Sequence, residues 1–239
     1  MEIGGENSRY FFCPCDHGAK PGILFLEFFI NTGDEFLSLL FILDMIGTFS
    51  FAISGAMVGV KKNMDLFGII VLGIVTAIGG GTIREVFTGE FPPFAFRQDI
   101  YFYLAITGSL ITYLFMNQLQ RIKSVVLLAD AVGLGTFVTI GVTSALAVDI
   151  TPTGAVVLGT ISAIAGGMIR DVLAGEIPFV LTRDFYAVSC ILGGIVYLVM
   201  AGLEAPQNIT IAVVTSVVIV LRVLAIRYGW KLPRAIVKI

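Results

Sequence analysis

Residues 77–86 are Ala-Ile-Gly-Gly-Gly-Thr-Ile-Arg-Glu-Val, and residues 163–172 are Ala-Ile-Ala-Gly-Gly-Met-Ile-Arg-Asp-Val. The same offset of 86 residues aligns Asp44 to Arg97 with Asp130 to Arg183 without a gap, and 19 of these 54 positions are identical. The matches include Gly, Arg, Glu and Pro in register, which apolar helices matched by chance do not share. The sequence therefore contains two homologous units.

The composition is that of a membrane protein. Of the 239 residues, 57% are hydrophobic and 13% are charged, and the mean hydropathy is +0.96. A soluble domain has about 25% charged residues, and no soluble fold buries this much apolar surface. The chain is therefore predicted to be an all-α integral membrane protein. Its formal net charge of −2, with no long basic run, predicts no nucleic-acid partner.

The apolar runs predict seven transmembrane helices, because a helix needs about 20 mostly apolar residues to cross a bilayer. These spans are Phe36–Val60, Leu66–Phe87, Ile100–Asn117, Val125–Val148, Thr153–Ala174, Phe185–Leu203 and Ile209–Ile226. The predicted order is a tail (1–35), a first three-helix repeat (36–117), a second (122–203), a seventh helix (208–228) and a basic tail (229–239). Since three is odd, the second repeat should be inverted about a pseudo-twofold axis in the membrane plane.

The loop charges predict the orientation. One side collects Lys61, Lys62, Arg121, Lys123, Arg183, Arg222, Arg227, Lys231, Arg234 and Lys238, and the other collects only Arg9, Lys20 and Arg97. Basic residues in short loops mark the cytoplasmic face. We therefore expect the inner (plasma) membrane, with an extracytoplasmic N-terminus and a cytoplasmic C-terminus.

The glycine runs, Gly79, Gly80 and Gly81 in the first unit and Gly166 and Gly167 in the second, lie late in the second helix of each unit. Glycine is about 1 kcal/mol worse than alanine in a helix interior. The runs therefore predict an interrupted or sharply bent helix beside a hydrated cavity, where freed carbonyls could help to coordinate a cation. The alternative is that the glycines only permit close helix packing.

Six ionisable residues within the spans are candidate pore or gating residues: Asp44, Arg84, Glu85, Asp130, Arg170 and Asp171. Each costs about 2.5–3.5 kcal/mol at a helix centre on insertion scales. Because adjacent helical residues point about 100° apart, each arginine is expected to pair with Asp44 or Asp130 on another helix instead of its acidic neighbour. The alternative is that these ions only fix helix docking.

The N-terminal tail holds Cys13, Cys15 and His17, which are soft-metal ligand types. Their spacing matches no familiar site, and a polar tail with incidental cysteines is the favoured interpretation. No metal site is predicted.

Each glycine–arginine segment is followed by Gly-Glu-x-Pro, at 89–92 and 175–178, which is typical of a helix end. The doubled motif resembles the prokaryotic branch of the trimeric intracellular cation (TRIC) channel family, which has also been catalogued as an uncharacterised membrane family or a putative glycine transporter. The resemblance covers Phe36 to Ile226. It implies two inverted three-helix bundles plus a seventh helix, and a homotrimer with a pore in every subunit.

The resemblance also implies conduction of monovalent cations, chiefly potassium with some sodium. Animal members carry Lys-Glu-Val after the first glycine run, where this sequence has Arg84-Glu85-Val86. Animal members bind a phosphoinositide between subunits, so membrane lipids are expected partners, although a bacterial-type sequence does not imply that lipid.

A potassium-permeable channel is the leading hypothesis. The alternative is a secondary transporter of a small solute such as glycine, since inverted repeats and broken helices are common to both classes. An enzyme is not expected, because the sequence has no Ser/His/Asp set and its single histidine is His17. No catalytic residue and no cofactor are predicted.

Overall fold

The computed structural model describes residues 35–119, 121, 124–182 and 185–230, with side chains described from residue 39 onward. The Cys13, Cys15 and His17 tail, Arg183 and the basic tail from Lys231 lie outside the described residues. The described part is all α-helical, as predicted. Its helices are α1 (Glu35–Lys61), α2 (Leu66–Thr88), α3 (Phe94–Arg97), α4 (Ile100–Leu114), α5 (Met116–Leu119), α6 (Val125–Ala147), α7 (Pro152–Leu173), α8 (Phe179–Thr182), α9 (Tyr186–Gly202) and α10 (Gln207–Tyr228).

Each of the seven predicted spans corresponds to a helix, with ends that agree to within about three residues. By length and composition, α1, α2, α6, α7 and α10 can cross a membrane. The apolar helices α4 and α9 are shorter, with 15 and 17 residues. At about 1.5 Å per residue they reach about 22 and 26 Å, which is slightly less than the hydrocarbon core of a typical bilayer.

The helix ends follow local signals. Asp65 accepts a hydrogen bond from the Gly68 backbone N–H at 2.7 Å and caps the start of α2. Thr151 caps α7, and Pro152 follows at the first helical position. Gly89 ends α2 in the left-handed region, with φ of +77°, where a side chain is disfavoured. Gly175, two residues after α7, has φ of +68°. The helix-end prediction for both glycines is confirmed.

The long helices pack in a matched pattern. Within the first unit α1 contacts α2 and α4, and within the second unit α6 contacts α7 and α9. Across the units α1 packs against α6, and α2 packs against α7. Phe51 and Phe137 stack at the α1–α6 contact, with ring centroids 5.2 Å apart. Helix α10 packs mainly against α6 and α9 of the second unit.

One basic residue assigned to the cytoplasmic side does not lie in a loop. Arg222, counted above as a basic residue of the cytoplasmic side, lies within α10 and is only 2% exposed. Its guanidinium stacks on the Tyr186 ring, 4.7 Å from the centroid. A residue within a helix and buried against an aromatic ring carries no information on loop charge, so the prediction of orientation rests on the other basic residues.

Candidate functional site: two buried ion clusters at the crossing of α2 and α7

The glycine runs bring the backbones of α2 and α7 into close contact across the two units. An added Cβ at Gly80 would clash with the Ser162 carbonyl oxygen, and one at Gly166 would clash with the Thr76 carbonyl oxygen. These contacts are reciprocal, because the 86-residue offset relates Gly80 to Gly166 and Thr76 to Ser162. Only residues without a side chain allow two helix backbones to approach so closely.

The remaining glycines leave room for neighbouring side chains. A Cβ at Gly81 would lie 2.5 Å from the Phe94 ring, and one at Gly167 would lie 3.0 Å from the Tyr186 hydroxyl. A Cβ at Gly79 would lie 3.1 Å from the Ile169 Cδ1, its nearest neighbour.

The predicted interruption of these helices is wrong. Helix α2 is a single α-helix from Leu66 to Thr88, and α7 is a single α-helix from Pro152 to Leu173. The packing between α2 and α7 stabilises the glycines in the helical conformation and outweighs their poor intrinsic propensity. Of the two interpretations given above, close packing is the one that the contacts support.

The second-unit cluster is centred on Arg170, which is 0% exposed. Its Nη1 donates to Asp130 Oδ1 at 2.8 Å and to Ser54 Oγ at 2.5 Å, and its Nε donates to Asp171 Oδ1 at 2.8 Å. The Tyr186 hydroxyl donates to the other Asp130 oxygen at 2.5 Å. The predicted pairing of Arg170 with Asp130 is confirmed.

The first-unit cluster contains the same residue types in a looser arrangement. Arg84 is 7% exposed, and its nearest carboxylate oxygen is Glu85 Oε1, at 3.9 Å from Nη2. Asp44 accepts from the Tyr101 hydroxyl at 2.5 Å instead of from Arg84. Within the described residues, Arg84 Nη1 and Asp44 Oδ1 are buried without a hydrogen-bond partner. The expected pairing of Arg84 with Asp44 or Asp130 is wrong. The ion contact of Arg84 among the described residues is with Glu85, and Asp130 is bonded to Arg170.

Adjacent residues in a helix do pair here, contrary to the expectation from their directions. Arg170 and Asp171 are hydrogen-bonded, and Arg84 and Glu85 lie within ion-pair distance. The 100° separation applies to the Cβ directions. Since arginine carries its guanidinium on a flexible three-carbon stem, the end of the side chain can turn back to the neighbouring carboxylate.

Each acidic neighbour also binds the backbone of the short helix that follows. Glu85 accepts from the Phe94 N–H at 2.6 Å, and Asp171 accepts from the Phe179 N–H at 2.8 Å. The rings of these phenylalanines lie under the guanidiniums of Arg84 and Arg170, at 5.9 and 4.8 Å from the centroids. In each unit the acid therefore connects the arginine to the loop that follows.

These matched contacts correct the alignment. An offset of 85 residues, not 86, relates Phe94 to Phe179 and Tyr101 to Tyr186. The first unit has Pro92-Pro93-Phe94 where the second has Pro178-Phe179. One residue is therefore inserted after the shared proline, and the alignment without a gap does not extend to Arg97.

A wide-open cavity of about 410 Å³ lies on the surface beside the second cluster, lined by Glu176, Ile177, Phe179 and Thr182. Phe179 joins it to the cluster, since its N–H binds Asp171. Glu176 also forms an ion pair of 2.8 Å with Lys62 in the α1–α2 loop. The cavity therefore lies at the C-terminal end of α7 and is bordered by charges of both signs.

The residues of the two clusters have no arrangement suited to a bound metal. Within the described residues, no group of three or more His, Cys, Asp or Glu could hold a metal ion. In each cluster one guanidinium of the repeat lies near two carboxylates, and Arg222, which stacks on Tyr186, adds a second positive charge beside the second cluster. Buried carboxylates can offset the charge of a passing cation, and the Coulomb interaction is strong where water is scarce.

Sequence reasoning missed six residues of this region: Ser54, Phe94, Tyr101, Phe179, Tyr186 and Arg222. The repeat contains the signal for four of them, because both phenylalanines and both tyrosines coincide once the offset is reduced to 85. Ser54 and Arg222 have no polar counterpart in the other unit, and only the fold brings them to the clusters.

The fold and the clusters define a helical membrane protein whose two halves each bury an arginine between carboxylates. A family model described as glycine transporter matches residues 41–117 and 127–202. The UPF0126 inner membrane protein YadS of Escherichia coli is 41% identical over 197 residues, or 82% of this chain and 95% of that protein. A UPF0126 membrane protein of Deinococcus radiodurans is 42% identical over 153 residues, or 63% of this chain and 71% of that protein.

Solved structures of membrane proteins are also similar to this chain. A chain from a structural study of conductance through TRIC cation channels is 39% identical with a TM-score of 0.77, covering 83% of this chain and 98% of that chain. The TRIC orthologue from Rhodobacter sphaeroides is 30% identical with a TM-score of 0.77, covering 81% of this chain and 100% of its own. The chain belongs to the prokaryotic TRIC channel family, which includes the UPF0126 proteins.

Proposed function

We propose that the protein is a monovalent cation channel, permeable to potassium and sodium, with a pore inside each subunit of a homotrimer. The likeness to TRIC cation channels over 98% of a solved chain carries this proposal. The first-unit cluster supports it, since the carboxylates of Asp44 and Glu85 outnumber the guanidinium of Arg84. A buried negative charge favours cations over anions.

In the proposed pore the carboxylates and the arginines of the two clusters have distinct tasks. Asp44, Glu85, Asp130 and Asp171 offset the charge of the cation, and Arg84 and Arg170 keep the carboxylates from holding it too tightly, because conduction needs binding that is weak enough to release. The glycines act by proximity. Gly79, Gly80, Gly81, Gly166 and Gly167 bring α2 and α7 together, so that both arginines lie at one crossing.

We also propose that α4 and α9 complete seven transmembrane helices arranged as two inverted three-helix repeats. The reciprocal contacts of Gly80 and Gly166 support a twofold relation, since a twofold axis makes each residue contact the counterpart of its own partner. An experimental structure in which the units superpose by about 180° about an axis in the membrane plane is the expected result. An axis along the membrane normal would contradict the inversion.

The proposed location is the inner membrane, with the N-terminus outside. The remaining basic residues near the helix ends support this orientation. A membrane-impermeant maleimide should label intact cells at Cys13 and Cys15, whereas the buried Cys190 should stay unlabelled until the protein is denatured. The C13A/C15A variant is the control. Labelling that requires permeabilised cells would place the N-terminus in the cytoplasm.

A glycine transporter is the second candidate, because the matching family model carries that description. A transporter would take up labelled glycine into proteoliposomes in a saturable way that depends on an ion gradient. We expect no glycine uptake above that of empty liposomes.

The channel proposal is tested in the same proteoliposomes. Vesicles loaded with KCl and diluted into an impermeant cation should lose potassium, and a proton ionophore should let a pH-sensitive dye report the loss as proton entry. Arg84→Gln should alter the rate, with trimer yield measured on the same preparation. Glycine uptake without potassium loss would replace the channel by the transporter.

A further inference from the structure

The two clusters differ in how firmly they hold their arginine. We infer that Arg170 is a fixed part of the permeation site, that Arg84 is the part that rearranges during gating, and that residues 54 and 140 set this difference. This inference rests on the proposed channel function.

Arg170 is held from three directions. It donates to Asp130 on α6, to its neighbour Asp171 and to Ser54 on α1, all within 2.8 Å. Ser54 Oγ also lies 3.4 Å from Asp130 Oδ1, so one hydroxyl bridges the arginine and the aspartate. Ser54 belongs to the first unit, and the bridge therefore connects the two halves of the protein. Bonds between ionised partners are the strong ones.

Arg84 lacks this support. Its shortest ion contact is 3.9 Å, and within the described residues Nη1 has no hydrogen-bond partner. Arg170 also has one unpaired nitrogen within that part of the chain, Nη2, but its Nη1 and Nε make three hydrogen bonds. The 86-residue offset places Ile140 on α6 at the position of Ser54. Ile140 is buried and has no polar side-chain atom, so the counterpart of the bridge is missing. The equivalent positions 54 and 140 thus carry a hydroxyl in one case and an apolar side chain in the other. This difference explains why Arg170 is bridged and Arg84 is not.

The unpaired atoms indicate where Arg84 moves. Asp44 Oδ1 is also buried without a partner among the described residues, and Asp44 lies in the position that Asp130 has in the other unit. Leaving a donor atom and an acceptor atom of opposite charge buried without partners is costly. A second arrangement in which Arg84 donates to Asp44, as Arg170 does to Asp130, recovers this cost and is therefore accessible. In that state Asp44 is neutralised by Arg84 and attracts a cation less.

The experiment introduces the missing hydroxyl. Ile140→Thr supplies a bridging group, and Ile140→Val is the matched control, because threonine and valine differ only in one hydroxyl against one methyl. In single-channel recordings we expect Ile140→Thr to lengthen the dwell time of the Arg84–Asp44 state about tenfold, which is about 1.4 kcal/mol. Ile140→Val should keep the wild-type dwell times. Equal dwell times for the threonine and valine variants would overturn the inference.

A second measurement needs no current, so the failure of the channel proposal is distinguishable from the failure of this inference. In thermal unfolding of the purified protein, Ser54→Ala should lower the midpoint temperature. Ser54→Thr, which keeps the hydroxyl, should have a midpoint closer to that of the wild type. In the Arg170→Gln background, Ser54→Ala should have no further effect, because the bridge is already lost. If Arg84→Gln lowers the midpoint as much as Arg170→Gln does, the two arginines are held equally and the inference is wrong.

Discussion

Replacing Gly80 with alanine tests the contact between α2 and α7. In an ordinary helix interior this change stabilises by about 1 kcal/mol. Here the new Cβ meets the Ser162 carbonyl oxygen, and a backbone atom cannot move aside as the end of a side chain can. Overpacking costs about 1–3 kcal/mol, and a clash with backbone belongs to the upper part of that range, about 2–3 kcal/mol. After the helix gain of about 1 kcal/mol, the net expectation is a loss of about 1–2 kcal/mol. For a chain of this size, that is a midpoint lower by about 2–8 °C.

The assay is thermal unfolding of the detergent-solubilised protein at one scan rate, since such unfolding is often irreversible. Gly166→Ala should give a similar loss, because it makes the reciprocal contact with Thr76. The double variant should lose less than the sum, because one separation of the helices relieves both clashes. Gly202→Ala is the control, since its Cβ would meet no described atom within 4 Å. If Gly80→Ala is as stable as Gly202→Ala, the close contact between the backbones does not exist.

Three further changes have graded expectations, each measured as a thermal midpoint. Arg170→Gln should cost about 3–5 kcal/mol, because it leaves buried carboxylates unpaired; a loss under about 1 kcal/mol would mean that the cluster is hydrated. Lys62→Gln removes a half-exposed ion pair with Glu176 and should cost at most about 1 kcal/mol; a loss as large as that of Arg170→Gln would show a buried role. Gly89→Ala forces a side chain into the left-handed region and should cost about 1–2 kcal/mol, and an unchanged midpoint would show that the end of α2 can adjust.

The helices follow from the sequence because apolar length and capping residues act locally. The predicted spans Phe36–Val60 and Leu66–Phe87 match α1 and α2 closely, and Asp65 marks the start of α2 without reference to the rest of the fold. The repeat likewise brings Arg84 and Arg170 to equivalent positions. Such features depend on the order of the residues and not on distances between helices.

The partners of the buried ions do not follow in the same way. Consecutive glycines predict both a helix break and a close crossing, and only the position of the Ser162 carbonyl distinguishes these. The sequence does not show that Asp44 binds Tyr101 and leaves its second oxygen without a described partner, because this depends on distances between helices. Ser54 is an ordinary residue of an apolar span until α1 packs on α7 and places it against Arg170.

The central proposal is cation conduction, and the reversal potential tests it most directly. The purified protein is incorporated into a planar bilayer with a tenfold KCl gradient, and unitary currents are recorded as the voltage is varied. We predict discrete current steps that reverse near the potassium equilibrium potential, about 59 mV from zero. Reversal at the opposite sign would mean that chloride permeates, and that result would contradict a cation channel.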